Sequence, residues 1–337
     1  MNPKKIQTTL RKRVSATSRD VVGIELGANL PQGTPVIRLH INKKQTELFA
    51  AGFLNLDEDM PGTAVEATDM PAGTWSLPKA YQASKAAIAV SSKLAMFRLT
   101  PSTGASDSED DDMRTATLTT SPEHPPVVSS MPDFLASWIV TRLPQGRRPT
   151  VRSIQTSPTA ALNCFLCGPV PANSSKPAAV IFCFAHYSAI TVFYDNKLVL
   201  YREHPTGYMT IKEAISAKMS IDIALAEAVM DDAVVDISPI INPLMESLYH
   251  QVDISVDFLA RRKSCIVDSF YIYGLPCGIN HWTDTFKRLM NKPLQHLHPF
   301  GGISCSNSRL LLPDSFEKTA PLFMSAVGAA RALLEDL

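Results

Sequence analysis

Short apolar runs open the ordered-looking part of the chain, and the same arrangement returns near its middle. Val21 to Gly27, VVGIELG, reads as a buried strand. Val36 to Ile41 alternates as a second strand and Glu47 to Phe53 as a third, with turns at Pro31-Gln32-Gly33 and Asn42-Lys43-Lys44. Three such strands in succession predict an antiparallel meander. Ala86 to Leu99 reads as two strand pieces bent at Ser91-Ser92. Pro132 to Leu143 has helical spacing through Phe134, Leu135, Trp138 and Ile139, Val151 to Ile154 follows as a strand, and Pro158 opens a helix to Leu166. Ala178 to Phe184, Ala189 to Tyr194 and Leu198 to Tyr201 then form a second meander, its last pair joined by a tight turn at Asp195-Asn196. The repeated opening predicts an α/β chain built of two related lobes.

Helices dominate after the second meander. Thr210 and Glu213 have capping-box spacing ahead of Ile211, Ala214, Ile215 and Met219, and Ser220 is placed to cap a second helix with Ile221, Leu225 and Val229 inward. Pro243 is expected to open a long helix with Met245, Leu248, Val252, Val256 and Leu259 on one face, closed by Arg261, Arg262 and Lys263. The stretch from Asp268 to Ile303 is the most informative. An apolar run, Phe270 to Tyr273, ends at Gly274, a Pro and Gly turn follows, and Asn280 is placed to cap a helix with Trp282, Phe286, Leu289 and Met290 on one face. A buried strand that delivers a glycine turn to a helix N-terminus leaves backbone amides bare. Such a corner can hold a nucleotide.

Composition narrows the function classes. The 337 residues include 45% hydrophobic ones, enough for two lobes with a substantial core. Lys plus Arg equals Asp plus Glu at 32 each, which argues against nucleic-acid binding through bulk charge. No apolar run approaches the roughly 20 residues that cross a bilayer, and the N-terminus lacks an apolar signal core. Six irregularly spaced Cys fit reduced thiols in a cytoplasm better than a disulfide framework. Residues 1–19 are basic, with Lys4, Lys5, Arg11, Lys12, Arg13 and Arg19 preceding the first acid and Ile6, Leu10 and Val14 recurring every fourth residue. The segment reads as a flexible basic tail, as a helix lying on an anionic membrane surface, or as a presequence. Residues 101–130 hold the acidic run Asp107 to Asp112 and the Pro122 to Pro126 cluster, and read as a flexible linker.

Two cysteine constellations suggest chemistry. Cys164-Phe-Leu-Cys167 has CxxC spacing, which His296 and His298 would complete as a zinc set. Without a second tight pair, the four read as core thiols at a helix end and surface imidazoles. Cys277 with His281 lies on a turn without an orienting acid, which argues against a Cys/His hydrolase.

The ordered series of elements from residue 20 to 337 resembles the PilM and FtsA branch of the actin-like ATPases. Met131 to Leu166 looks like that family's small-lobe insert, Ala178 to Met230 like its second phosphate hairpin and two helices, Ile241 to Lys263 like its long helix, and Pro321 to Leu334 like its closing helix. The resemblance implies a bilobed, duplicated ribonuclease H-like fold with a small-lobe insert. Residues 20–100 would open the first lobe, 131–177 would hold the insert and the return to it, and 178–337 would form the second lobe. It also places a nucleotide site at Glu25, Gly27, Asn29 and Gly274. That site is eroded. Glu25-Leu-Gly27-Ala28-Asn29 stands where the family has Asp-x-Gly-Ser followed by a Lys, Phe182 and Phe184 stand where an Asp and a Gly are expected, and Leu275 and Pro276 replace small residues after Gly274. Mg²⁺ needs oxygen ligands that two phenylalanines do not supply. The implied function is a cytoplasmic scaffold, peripheral to the inner membrane, that docks the N-terminal peptide of a PilN-like single-pass protein. The expected groove involves Met131 to Leu166 and Ala86 to Leu99. An actin-like ATPase that binds Mg-ATP with Glu25 as its metal-side acid is the alternative, and a filament-forming cytoskeletal protein also fits the fold.

Overall fold

The computed structural model describes residues 20–42, 45–56, 60, 73–91, 95–99, 112–118, 126–143, 149–170, 176–195, 197–231, 235–274, 279–305 and 310–335. The opening meander is β1 (Asp20–Leu26), β2 (Thr34–Asn42) and β3 (Gln45–Leu54). It is extended by β4 (Lys85–Val90) and β8 (Thr150–Thr156), both parallel to β1, into a sheet of order β3-β2-β1-β4-β8. The second meander, β9 (Ala178–Cys183), β10 (Ser188–Tyr194) and β11 (Lys197–His204), gains β12 (Ser269–Tyr273) and β13 (Leu294–His296) in the matching order β11-β10-β9-β12-β13. Two sheets of one topology are the duplicated lobes that the sequence pattern predicts. A third sheet, of order β5-β7-β6, joins β5 (Met96–Leu99), β6 (Met113–Leu118) and β7 (Val127–Pro132).

Period-two alternation assigns each face of β1. Val22, Ile24 and Leu26 pack with Leu135, Trp138 and Ile139 of helix α1 (Asp133–Arg142) on the outer side. Val21 and Gly23 face inward, toward α2 (Ser157–Leu166) and the closing helix α7 (Met324–Glu335), which lie between the two sheets. On β9 the inward positions are Val180 and Phe182. Ala179, Ile181 and Cys183 face a separate core with α3 (Tyr208–Met219), α4 (Ile223–Asp231), α5 (Ser238–Lys263) and α6 (Ile279–Met290). The layers therefore run helix, sheet, helix pair, sheet, helices.

Several expectations shift. Residues 101–130 do not form only a linker, because 113–118 and 127–130 lie in β6 and β7, whose pairing comes from long-range contacts that an acidic, Pro-rich context hides. Helix α1 belongs to the first lobe's own core, so the separate part of the insert is the three-stranded sheet. Helix α3 starts one turn before the Thr210 box, and Thr210 Oγ1 accepts the Gly207 N–H at 3.3 Å. Ser220 closes α3 in a left-handed conformation at φ 57° instead of opening α4, where Asp222 Oδ1 accepts the Leu225 N–H at 2.7 Å. Pro239 stands in the first turn of α5 and Pro243 falls inside it, while Arg261, Arg262 and Lys263 close it as expected. Asn280 lies within α6. Trp282 and Phe286 are buried and Met290 is half-buried, but Leu289 is exposed.

The central helix pair makes its closest approach backbone to backbone. A Cβ on Gly328 of α7 would stand 1.8 Å from the Ala160 carbonyl oxygen of α2, and one on Gly23 of β1 would stand 2.1 Å from the Ala326 carbonyl oxygen. Arg331 bonds the Gly301 carbonyl at 3.1 Å and the Cys167 carbonyl at the end of α2, where a cation complements the helix dipole. In an open helix position Gly→Ala would add stability of about 1 kcal/mol. Gly328→Ala is instead expected to lose about 3 kcal/mol through overpacking, read as a lowered denaturant midpoint. An unchanged or raised midpoint would contradict this packing.

Candidate functional site

The four residues expected at the nucleotide site have different placements. Glu25 continues the inward face of β1 and is buried. Its Oε1 accepts the hydroxyl of Ser157 at 2.9 Å, and Ser157 opens α2, so the carboxylate sits against a positive helix end. Gly27 has φ 76°, and a Cβ there would lie 2.3 Å from the Ser91 carbonyl oxygen. Asn29 is exposed and turns the chain at φ 51°. Gly274 has φ 86°, and its Cβ would lie 2.2 Å from the Cys183 carbonyl oxygen, so glycine is demanded there by the close approach of β12 to β9. Leu275, Pro276 and Cys277 lie outside the described residues, as does the side chain of His281.

Glu25 lines a cavity of about 20 Å³ with Ala28, Phe184, Tyr208 and Ser325. That is room for one water molecule, the volume one needs being about 10–15 Å³. Ser325 Oγ is buried and makes no hydrogen bond to protein, so it would hold that water. A nucleotide phosphate does not fit. Phe184 stacks on Tyr187 with centroids 4.7 Å apart, and Phe182 stacks on Tyr273 at 5.7 Å, so aromatic rings fill the space beside the second hairpin. From the other side, Ala28 and Leu30 of the first hairpin pack into the second lobe's core. Among the described residues, no three His, Cys, Asp or Glu side chains converge to hold a metal ion. The residues present do not fit Mg-ATP while the lobes are together.

A polar latch beside this plug was not legible in the sequence. Gln32 Nε2 of the first lobe donates to Glu227 Oε1 of α4 at 3.1 Å, Tyr208 OH donates to the same oxygen at 2.7 Å, and the fully buried Lys212 pairs with Glu227 Oε2 at 2.8 Å. Lys212 lies next to apolar Ile211 on a buried helix face, a position that only tertiary topology reveals. Burial pushes the Glu227 carboxyl up, but the bonds from Lys212 and Tyr208 outweigh it and hold it below the ordinary value of 4.5.

The CxxC pair is core packing. Burial pushes the thiols of Cys164 and Cys167 up to about 12, so both are protonated at neutral pH, and Cys164 Sγ points to the Pro299 carbonyl at 3.7 Å. Zinc binds thiolates. His296 is pushed down to about 4 by burial and by His298, whose own Nδ1 accepts the Phe300 N–H at 3.3 Å.

The expected groove region has two neighbours. Ser129 of β7 lies 3.2 Å from Thr156 at the end of β8, Thr159 of α2 donates to Ser129 at 3.4 Å, and Thr156 and Thr159 are 2.9 Å apart. These hydroxyls seat the small sheet on the first lobe. Phe97 of β5 meets Tyr201 of β11 edge-on at 4.5 Å, which seats it on the second lobe.

Among solved structures, the "PilM-PilN type IV pilus biogenesis complex" matches this chain with a TM-score of 0.64 at 15% identity, over 92% of this chain and 97% of that one. The fold is the PilM-type actin-like fold. A Bacteroides thetaiotaomicron protein of actin-like ATPase fold matches at TM-score 0.45 and 7% identity, covering 91% of this chain and 97% of its own. The archaeal actin homologue Ta0583 matches at 0.44 and 13%, covering 94% and 99%. No protein-family model matches the sequence, and no curated protein matches it.

The latch gives a pH-dependent prediction. A carboxyl lowered on folding stabilises above its unfolded value near 4.5, and that contribution is lost as pH falls through its lower folded value. Glu227→Gln strands Lys212 without a charge partner, and should cost about 2 kcal/mol at pH 7, less than a fully buried pair because Glu227 is one-third exposed. Urea melts of both proteins should converge as pH falls below 4.5. Equal stability at pH 7 would remove the latch.

Proposed function

We propose that this chain is a cytoplasmic scaffold of a type IV pilus or type II secretion-like assembly. It docks the N-terminal peptide of a PilN-like inner-membrane protein and does not hydrolyse ATP. The observation that carries this reading is the filled cleft: the PilM-type fold is kept over nearly the whole chain, while Ala28, Leu30 and Phe184 occupy the space between the two hairpins. Phosphoryl transfer depends on positioning and electrostatic stabilisation, and this cleft supplies neither. The docking region is the junction of the small sheet with β8 and α2, lined by neutral hydroxyl and amide side chains at Ser129, Thr159 and Asn163.

Membrane association in this reading comes from the partner. No helix among the described residues is long and apolar enough to cross a membrane. The basic segment 1–19 lies outside the described residues, and an anionic lipid surface is its proposed contact.

The alternative, an ATPase using Glu25, draws support from the carboxylate's place on the cavity wall. Calorimetric titration with Mg-ATP separates the two readings. The scaffold gives no heat, and micromolar binding abolished by Glu25→Ala would favour the ATPase. For docking, the cytoplasmic tails of PilN-like proteins should retain the chain in a pull-down, and Ser129→Trp should weaken retention about tenfold, an effect of roughly 1.4 kcal/mol. Failure of every such tail to bind would end the scaffold reading.

A further inference from the structure

The small sheet has two edges, and only one has a neighbour. The β5 edge faces the second lobe through Phe97 and Tyr201. Elsewhere, β3 is bordered by the chain at Ser304 and Leu311, which bridge to Glu47 and Ala50, β8 is flanked by Ser129, and β13 has three residues. The outer edge of β6 pairs with no strand among the described residues. Arg114, Thr115, Ala116 and Thr117 are all exposed.

Natural sheets protect such edges with charge, proline or bulges. Met113 to Leu118, MRTATL, has neither Pro nor Gly, and its pairing to β7 runs without a register shift. Its one charge, Arg114, is paired with Asp133 of α1. The strand is therefore unprotected and rich in residues of high β-propensity.

We propose that β6 is a self-association edge, at which two copies of this chain pair antiparallel and fuse their small sheets into one of six strands. The choice of a second copy rests on register. An antiparallel pair related by a twofold axis normal to the sheet must match residues of equal parity, because each side chain keeps its face. The two centred registers pair Thr115 with Thr115 or Ala116 with Ala116. In the first, Arg114 faces Ala116 of the other copy, and in the second it faces Leu118. Neither register opposes like charges, and each sets threonine or alanine at the axis. The strand is self-complementary in both.

Sedimentation velocity of the full chain over a wide concentration range tests this pairing. A monomer–dimer equilibrium is expected, and Thr115→Lys should raise its dissociation constant at least about tenfold, by setting like charges opposite or diagonal to each other. A second measurement guards against misfolding. In a Cys305→Ser background, which removes an exposed native thiol, oxidation should cross-link Thr115→Cys or Ala116→Cys but not Arg98→Cys on β5. A chain that stays monomeric throughout, or a dimer that neither Thr115→Lys nor either cysteine detects, overturns the proposal. So does a monomer whose β6 cysteine cross-links only to an added partner peptide.

Discussion

Everything in this molecule is referred to one contact, the backbone-to-backbone crossing of α2 and α7 at Ala160 and Gly328. Both helices are buried between two sheets, so their separation sets how near the sheets come. Small residues make that separation short. Ala160, Ala161, Gly328 and Ala329 present almost no side chain, and Gly23 lets β1 come as close to α7 from the other side. Close packing tolerates no compromise at such points, because an added methyl has no void to enter. Arg331 then fixes the relative slide of the helices by bonding carbonyls at the end of α2 and at Gly301.

A central layer held that tightly leaves a narrow cleft, and side chains have taken what remains. Ala28 and Leu30 enter the second lobe's core, and Phe182, Phe184, Tyr187 and Tyr273 stack beside them. Glu25 survives in this setting because it has a structural role that needs no ligand. A buried carboxylate is costly unless bonded, and the Ser157 hydroxyl at the head of α2 provides that bond. The acid that would face a metal in an open cleft here ties a strand to a helix end.

How much of this was legible in the sequence depended on the range of the interactions. Strands β1 to β3 and β9 to β11 could be read because alternation and turn residues are local, and the repeat of one meander implied two lobes. Helix starts were displaced by a turn where two candidate signals competed, as with Pro239 and Pro243 or Gly207 and Thr210. Strand β6 was invisible, because Met113 to Leu118 follows an acidic run and owes its order to β7. Gly274 stood out correctly as a marker of the fold. Its physical reason, the Cys183 carbonyl in the space of a side chain, needed coordinates. The Lys212–Glu227–Gln32 latch gave no signal, since a lysine on an apolar helix face is read as solvated until its neighbours are known.

Closure also bears on what such a molecule can be used for. Parting the lobes would expose Ala28 and Leu30 to water and would break the Gln32 bond to Glu227, so the cleft cannot gape without losing both apolar burial and polar pairing. The small sheet is held from two sides, through Ser129 to the first lobe and through Phe97 to the second, and its position follows from theirs. A surface spanning these parts is presented in one arrangement. Binding a flexible peptide then costs the ordering of the peptide alone, without an added cost for ordering its receptor. An ATPase of this architecture needs a cleft that opens for its substrate, whereas a docking platform gains from one that does not. The side chains that fill the cleft have moved this lobe pair toward the second requirement.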